Sequence, residues 1–156
     1  MLRTIRLIPA FALCGFGLLA LSLNIQTTGM AGIAAAQTAR LSLLNPGVQA
    51  PGLGLACTAQ VAFVDDSGAV LKSGTLTVDA GRSLSFDLSS DADLNLAAGD
   101  RRQIRAQITV STIPPPATNA GAAGCTVVPT FEIFDTATGR TQVILTSTTT
   151  IPGLGL

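Results

Sequence analysis

Histidine, tryptophan and tyrosine are absent from this 156-residue sequence, and lysine and glutamate occur once each, as Lys72 and Glu132. Without histidine the chain lacks the usual general base for neutral pH, and it cannot form a Ser-His-Asp or Cys-His nucleophile. No S-x-x-K pattern precedes Lys72, and a glycosidase-type carboxylate pair would have to include Glu132, which alternation places on an outer face. The composition therefore predicts that the protein is not an enzyme.

Charged residues are also scarce, at 12% of the chain with a formal net charge of zero, whereas soluble proteins average about 25%. Such a balance gives no electrostatic steering toward nucleic acid or anionic lipid. Binding of single-stranded nucleic acid also relies on stacking aromatic residues, which are rare here. We therefore expect no nucleic-acid partner.

The N-terminal sequence has the layout of a secretory leader. Arg3 and Arg6 precede an uncharged run over residues 7–23, and Ala34 and Ala36 form a small-residue cleavage pattern further on. Cleavage after Ala36 predicts a leader over residues 1–36 and one domain over residues 37–156, located in the periplasm, on the cell surface or in the medium. Since this removes two of nine basic residues against nine acidic ones, the net charge becomes 7 − 9 = −2.

The alternative is that the N-terminal segment is kept as a membrane anchor. The uncharged run is at the short edge of the roughly 17–25 residues needed to span a bilayer, and a cleavage-type pattern follows it. We therefore favour cleavage, after which no attachment to the membrane is expected. Cys14 would leave with the leader.

Beyond residue 37 the sequence alternates between apolar and polar residues and is interrupted by turns that contain glycine and aspartate. The pattern predicts an all-β, seven-stranded antiparallel β-sandwich of immunoglobulin-like type, with a small β-barrel as the alternative. Within the third strand, Gly74 is expected at a bulge, and an inward-pointing Lys72 indicates a sheet edge. The predicted strands cover residues 38–44, 57–64, 69–78, 83–88, 102–110, 125–134 and 141–147.

Two cysteines remain after the leader, Cys57 and Cys125, and an even pair in an exported domain predicts a disulfide. Each cysteine begins an inward-facing series, and the second and sixth strands should run in the same direction, which brings both cysteines to one end. Closing a loop of 125 − 57 = 68 residues stabilises a fold by about 4 kcal/mol in the chain-entropy model. A redox-active or metal-binding pair is the alternative, but it lacks C-x-x-C spacing and a histidine partner.

A calcium loop is suggested by the D-x-D-x-N spacing that begins at Asp91 and Asp93. The pattern then fails, because Leu96 occupies the position of the required glycine and Arg102 that of the bidentate glutamate. We expect no metal and no cofactor. A calcium site at the sandwich edge, built from Asp91, Asp93 and Asp100, is the alternative.

A five-residue sequence occurs twice, at residues 51–55 and again at the C-terminus. Both copies alternate leucine with glycine, which gives a ribbon with one apolar edge. One interpretation is a pair of surface strands packed on their own sandwich. The other is that the second copy adds as a strand to a neighbouring molecule and forms a homo-oligomer. The residues of this assembly strand are Pro152, Gly153, Leu154, Gly155 and Leu156.

Three runs of sequence carry a resemblance to other proteins: C-T-A-Q-V-A-F-V-D-D-S-G from residue 57, R-R-Q-I-R-A from residue 101 and C-T-V-V-P-T-F-E-I-F-D-T-A-T-G-R-T from residue 125. They resemble a loose set of uncharacterised small exported bacterial proteins with a cysteine-bearing strand at each end of a β-sandwich. The resemblance implies export and a sandwich fold, and it implies no activity.

Together these features predict a non-catalytic extracytoplasmic module that acts as a binding, adhesive or structural unit. Its partner would be an unknown protein or a surface polymer. The alternative is a self-assembling subunit of a surface layer or fibre that uses the C-terminal repeat. A third hypothesis, a small hydrolase, is disfavoured by the missing histidine.

Overall fold

The computed structural model describes residues 22–47, 56–112, 125–146 and 149–152. Ten strands and no helix run through these ranges, so none of them contains a helix that could cross a membrane. The strands are β1 (Ser22–Thr27), β2 (Ala31–Ala34), β3 (Gln37–Leu44), β4 (Cys57–Asp65), β5 (Val70–Val78), β6 (Ser83–Ser89), β7 (Arg101–Thr112), β8 (Val128–Asp135), β9 (Thr141–Leu145) and β10 (Thr149–Pro152).

The strands form two antiparallel sheets that pack against each other. The larger sheet has the order β10-β1-β7-β4-β5, with β2 also paired to β7, and the smaller sheet has the order β6-β3-β8-β9. Neither sheet closes into a barrel, which confirms the all-β sandwich and excludes the barrel alternative. The seven predicted strands correspond to β3–β9, and β1, β2 and β10 are additional.

The order of the strands differs from that of an immunoglobulin domain. There the first two strands are neighbours in one sheet. Here β3 and β4, the first two of the predicted strands, lie in different sheets, because their connection crosses from one sheet to the other. The molecule therefore shares the sandwich architecture of immunoglobulin domains and not their topology.

The core lies between the sheets and is built by the predicted alternation. Apolar side chains of β3, β4, β7 and β8 point inward at every second position and are almost fully buried. The ring of Phe63 stacks on Phe86 at a centroid distance of 5.6 Å and meets Phe131 at 6.1 Å. The inward series are Ala39, Leu41 and Leu43; Ala59, Val61 and Phe63; Ile104, Ala106, Ile108 and Val110; and Phe131 and Ile133.

The predicted bulge at Gly74 is wrong. The irregular position of β5 is Leu71, which has no partner on β4, whereas Gly74 pairs regularly with Val61. A Cβ atom at Gly74 would approach the ring of Phe86 to 2.9 Å, so the glycine is needed for ring packing and not for a bulge. The edge position of β5 is confirmed, and Lys72 reaches Asp93 from it with an Nζ–Oδ2 distance of 2.8 Å.

The predicted domain boundary between residues 36 and 37 lies inside the sandwich. Strand β1 is an interior strand of the larger sheet, held between β7 and β10, and β2 continues along β7. Ile33 is fully buried, and Ala31 and Thr28 are buried beside it. The folded domain therefore includes the chain from Ser22 onward, because small and apolar residues that resemble a leader also suit a buried strand. Removal of a leader stays a prediction.

A bulge joins β1 to β2 and ties both to the sheet. Three residues, 28–30, face two residues of β7 between the pairs Thr27–Gln107 and Ala31–Ile104. The hydroxyl of Thr28 accepts a hydrogen bond from the backbone N–H of Ala106 at 2.9 Å, and the Thr28 N–H donates to the Ala106 carbonyl at 3.0 Å. The threonine side chain thus replaces a ladder hydrogen bond that the bulge would otherwise remove.

The predicted disulfide is confirmed. Cys57 begins β4 in the larger sheet, Cys125 precedes β8 in the smaller sheet, and their sulfur atoms are bonded. Their Cα atoms are 5.4 Å apart, so both cysteines lie at one end of the sandwich as expected. The bond links the two sheets covalently.

Candidate functional site

The carboxylates of the suspected calcium loop serve separate structural roles. Asp91 Oδ1 accepts a hydrogen bond from the Ala36 N–H at 2.9 Å, and Asp100 Oδ2 accepts one from the Ala97 N–H at 3.2 Å. Asp93 Oδ2 accepts from Lys72 Nζ and also from the Ser89 N–H, at 2.7 Å. Among the described residues, no group of three or more histidine, cysteine, aspartate or glutamate side chains could hold a metal ion. The structure therefore gives the calcium alternative no support.

Two further aspartates organise hairpin turns. Asp65 Oδ1 accepts hydrogen bonds from the Ser67 hydroxyl at 2.6 Å and from the Ala69 N–H at 2.9 Å, and these lower the pKa of Asp65. Asp135 Oδ1 accepts from both the hydroxyl and the N–H of Thr138 at 2.7 Å, with the same effect on the pKa of Asp135. These carboxylates are held ionised by turns, which is a structural role and not acid–base chemistry.

The C-terminal repeat is only partly covered by the structure. Pro152 ends β10, where it lies opposite Asn24 of β1 in the same chain. Residues 153–156, which are Gly153, Leu154, Gly155 and Leu156, and the first copy at residues 51–55 lie outside the described residues. Among the described strands, β10 is the last in the order of the larger sheet, so the repeat begins at the edge of the described sheet.

The outer surface of the larger sheet carries a set of uncharged side chains that we call the uncharged face. Because inward and outward positions alternate, residues between the buried ones on β4, β5 and β7 point away from the core. Cross-strand pairing arranges them in rows such as Thr75–Gln60–Thr109 and Ser73–Ala62–Gln107. The uncharged face consists of Thr58, Gln60, Ala62, Ser73, Thr75, Thr77, Gln107 and Thr109.

A shallow depression of about 260 Å³ lies on the uncharged face. It is lined by side chains of both rows and by the backbone at Val61 and Gly74. Within the described part of the chain, its five polar side chains form no hydrogen bond with protein atoms, so their donors and acceptors are available to a ligand. These residues are Gln60, Ser73, Thr75, Gln107 and Thr109.

The chemistry of the depression is that of neutral hydrogen bonding. Each glutamine amide offers two donors and one acceptor oxygen, and each hydroxyl both donates and accepts. No ionisable side chain lines the depression; the nearest charge along β7 on this side is Arg105, two residues before Gln107. The arrangement can bind a polar, uncharged ligand, and it provides no general base or nucleophile pair for covalent chemistry.

The outer surface of the smaller sheet differs, because its polar groups bond to one another. Arg40 donates from Nη2 and Nε to the carboxylate of Asp87 at 2.7 and 2.8 Å, which raises the pKa of Arg40, and it lies over the ring of Phe134. The hydroxyls of Ser42 and Ser85 are 3.0 Å apart. Several polar groups of this surface are therefore already bonded to one another, in contrast to those that line the depression.

Sequence reasoning identified the outward positions of β4 and β7 but not the uncharged face. Alternation alone places Thr58 and Gln60 of β4, and Gln107 and Thr109 of β7, at outward positions. Nothing in the local pattern shows that β4 lies between β5 and β7, since that order depends on long-range pairing. The feature of the sequence that could indicate the uncharged face is that none of these outward positions is charged.

Comparison with known proteins adds no relative. No protein-family model, curated protein or solved structure matches this chain. Its function therefore has to be inferred from its own side chains.

Proposed function

We propose that this protein is a non-catalytic extracytoplasmic binding module whose uncharged face binds a neutral, hydroxyl-rich polymer such as a polysaccharide. The observation that carries the proposal is the depression lined by five polar side chains that form no hydrogen bond with any residue the structure describes. Exposed polar groups usually bond to water, and a ligand that supplies both donors and acceptors can replace that water.

The ligand class follows from the type of group on the face. Sugar hydroxyls both donate and accept, as do the hydroxyls of Ser73, Thr75 and Thr109, and the amides of Gln60 and Gln107 add donors and acceptors in fixed positions. An anionic polymer could form an ion pair only with Arg105 at the margin of the depression. A cationic polymer could form none, because no carboxylate lines the depression. Neutral ligands are therefore favoured over charged ones.

The expected affinity of one depression is low. A net hydrogen bond contributes about 1 kcal/mol, so three or four of them give about 4 kcal/mol, which corresponds to a Kd on the order of 1 mM. Affinity of this size is useful for a polymer, because several modules on one surface gain from multivalency.

An extracytoplasmic location is supported by two observations. The disulfide between Cys57 and Cys125 is of a kind that persists in oxidising compartments. The basic residues Arg3 and Arg6 and the uncharged run that follows them resemble an export leader. The missing histidine supports a non-catalytic role for the exported domain.

The test is affinity electrophoresis of the disulfide-bonded protein in native gels that contain dextran, soluble starch, a mixed-linkage β-glucan or the anionic polymer alginate. We expect at least one neutral polymer to retard the protein and alginate to have no effect. The double variant Gln60→Ala, Gln107→Ala should migrate as it does without polymer, because both amides are lost from the depression. No reducing ends should appear on incubation with the retarding polymer.

A matched control is the variant Gln142→Ala, which removes an exposed glutamine from β9 in the smaller sheet. This variant should be retarded as strongly as the original protein. Equal loss of retardation in Gln142→Ala, or no retardation by any neutral polymer, would contradict the proposal.

A second candidate function, a self-assembling subunit, is favoured by the edge position of β10. The strand has β1 on one side and is last in the sheet order, and its final residue Pro152 lacks an N–H, which suits an edge. Deletion of residues 153–156 leaves the pairs of β10 with β1 intact, so it tests assembly separately from folding. Size-exclusion chromatography over a range of concentrations should show larger species only for the full chain. The same elution for both chains would contradict assembly through the repeat.

A further inference from the structure

The position of β1 in the larger sheet bears on where an export leader can be removed. Cleavage after Ala36 would detach β1 and β2 and leave β7 without a partner on that side, although Ile33 is fully buried against the core. It would also leave β10 without β1, its neighbour in the sheet. A cleavage site compatible with the fold therefore removes no more than the first residue of β1, so that its other pairs with β7 and all its pairs with β10 remain.

The Ala34–Ala36 pattern has a different role in the folded protein. Ala36 has a positive φ of 59° in the turn between β2 and β3. Its N–H donates to Asp91 Oδ1, and its carbonyl accepts from the Thr136 N–H at 2.9 Å. Ala36 therefore has a structural role in a tight, hydrogen-bonded turn, and this role does not require that a protease cleaves after it.

A second small-residue pattern occurs at the beginning of β1. Ala20 and Ser22 are separated by one residue, and the segment before them contains the apolar residues 7–19 after Arg3 and Arg6. An apolar segment of 13 residues lies within the 7–15 expected of a leader before an A-x-A-like site. Ala20 lies outside the described residues and is used here only for its identity in the sequence.

We infer that an export signal peptidase hydrolyses the peptide bond between Ser22 and Leu23. Water adds across that bond, so Ser22 leaves as the C-terminal carboxylate of the leader and Leu23 gains a free ammonium group. Only the outermost pair between β1 and β7, Ser22 with Thr112, is lost. The five pairs from Leu23 to Thr27 remain, and so do all pairs of β1 with β10.

The inference rests on the export that is part of the proposed function. The compartment in which the protein is found tests export, and the intact mass of the exported chain tests the cleavage site. The full chain is expressed in a bacterial host that exports it, and the protein from the periplasm or medium is measured by mass spectrometry and N-terminal sequencing. We expect a chain that begins at Leu23, with the mass of residues 23–156 less two hydrogens for the disulfide. A chain that begins at Gln37, or at any residue other than Leu23, overturns the site.

Two variants make the assignment specific. Ser22→Leu places a large residue next to the scissile bond and should leave the precursor uncleaved at that position. Ala34→Leu disrupts the other pattern in the same way and should leave the N-terminus at Leu23. Uncleaved original protein found only in the cytoplasm overturns export itself, whereas exported protein cut elsewhere overturns only the site. Cleavage of Ser22→Leu at the original bond would also contradict the assignment.

Discussion

The polar side chains around the depression on the larger sheet differ from those on the outer surface of the smaller sheet, although Thr58 and Thr77 of the uncharged face also bond to each other at 3.1 Å. On the smaller sheet, Arg40 pairs with Asp87 and the hydroxyls of Ser42 and Ser85 bond to each other. On the larger sheet, the polar side chains around the depression have no partner within the described protein. Since both surfaces cover the same core, the fold does not require the second arrangement. Polar side chains that make no stabilising contact within the fold are therefore the candidates for binding a ligand.

The largest expected effect comes from the bond that joins the two sheets. Replacing Cys57 and Cys125 by alanine should lower the free energy of unfolding by about 4 kcal/mol, because the unfolded chain regains the entropy of a 68-residue loop. Urea unfolding with and without a reducing agent measures it. The reference is the original protein in its disulfide-bonded form. An unchanged midpoint on reduction would show that the sheets are held together without the disulfide.

The next effect tests whether the larger sheet needs a glycine at residue 74 to make room for the ring of Phe86 from the smaller sheet. Gly74→Ala places a Cβ atom 2.9 Å from the ring of Phe86, and the resulting overpacking should cost about 1–3 kcal/mol. The neighbouring variant Ser73→Ala adds no such contact and should change the free energy of unfolding by less than about 0.5 kcal/mol. Thermal unfolding of both proteins gives the comparison. If Ser73→Ala were the more damaging, the ring contact would be irrelevant.

A smaller effect addresses the difference between the two surfaces directly. Arg40→Met removes an ion pair whose side chains are 38% and 42% exposed, so it should cost about 0.5–1 kcal/mol, and less at high salt. Thr75→Val on the uncharged face removes a hydroxyl that bonds to no group in the described ranges and should cost less. Denaturant unfolding of the two variants decides between these values. A larger loss in Thr75→Val would contradict the contrast between the surfaces.

The smallest effect is a dependence of stability on pH at the edge of the larger sheet. The hydrogen bond from Lys72 lowers the pKa of Asp93 in the folded protein below its unfolded value of about 3.9. Its contribution is therefore present above about pH 4 and is lost as the pH falls through the folded pKa. Asp93→Asn should cost a few tenths of a kcal/mol at pH 7, as expected for a surface pair, and progressively less as the pH falls from about 4 toward 2. Melting curves at both pH values test this, and an equal loss at both would exclude the ion pair as the cause.

Most of the sandwich could be predicted from sequence because alternation is a local signal. Strands β3–β9 and the glycine-containing turn at Gly68 follow from residues close in the chain. The pairing of Cys57 with Cys125, which are 68 residues apart, follows instead from their being the two cysteines that remain after the predicted leader. Strand β2 was missed because its small and apolar residues have the composition of a leader. Strand β10 is not predicted because it is short and its place depends on β1. Even their nearest pair, Thr27 with Thr149, is separated by 149 − 27 = 122 residues.

The candidate site could be predicted only in part. The outward positions of Gln60 and Gln107 follow from alternation, but their meeting in one depression needs the order β7-β4-β5. The same holds for Gly74, where the nearby sequence suggests a bulge and the real constraint is a phenyl ring from the opposite sheet. Local patterns do not contain such constraints, because they arise from packing between distant segments.

The pairing of β1 with β10 joins the first described strand to the last. A chain that crosses a membrane with its N-terminus first would deliver β1 long before its outer neighbour, so the larger sheet cannot be completed until Thr149–Pro152 has emerged. For the export proposed above, folding and transport are therefore coupled in time: the larger sheet of an exported chain is completed only after its last described strand has reached the far side of the membrane.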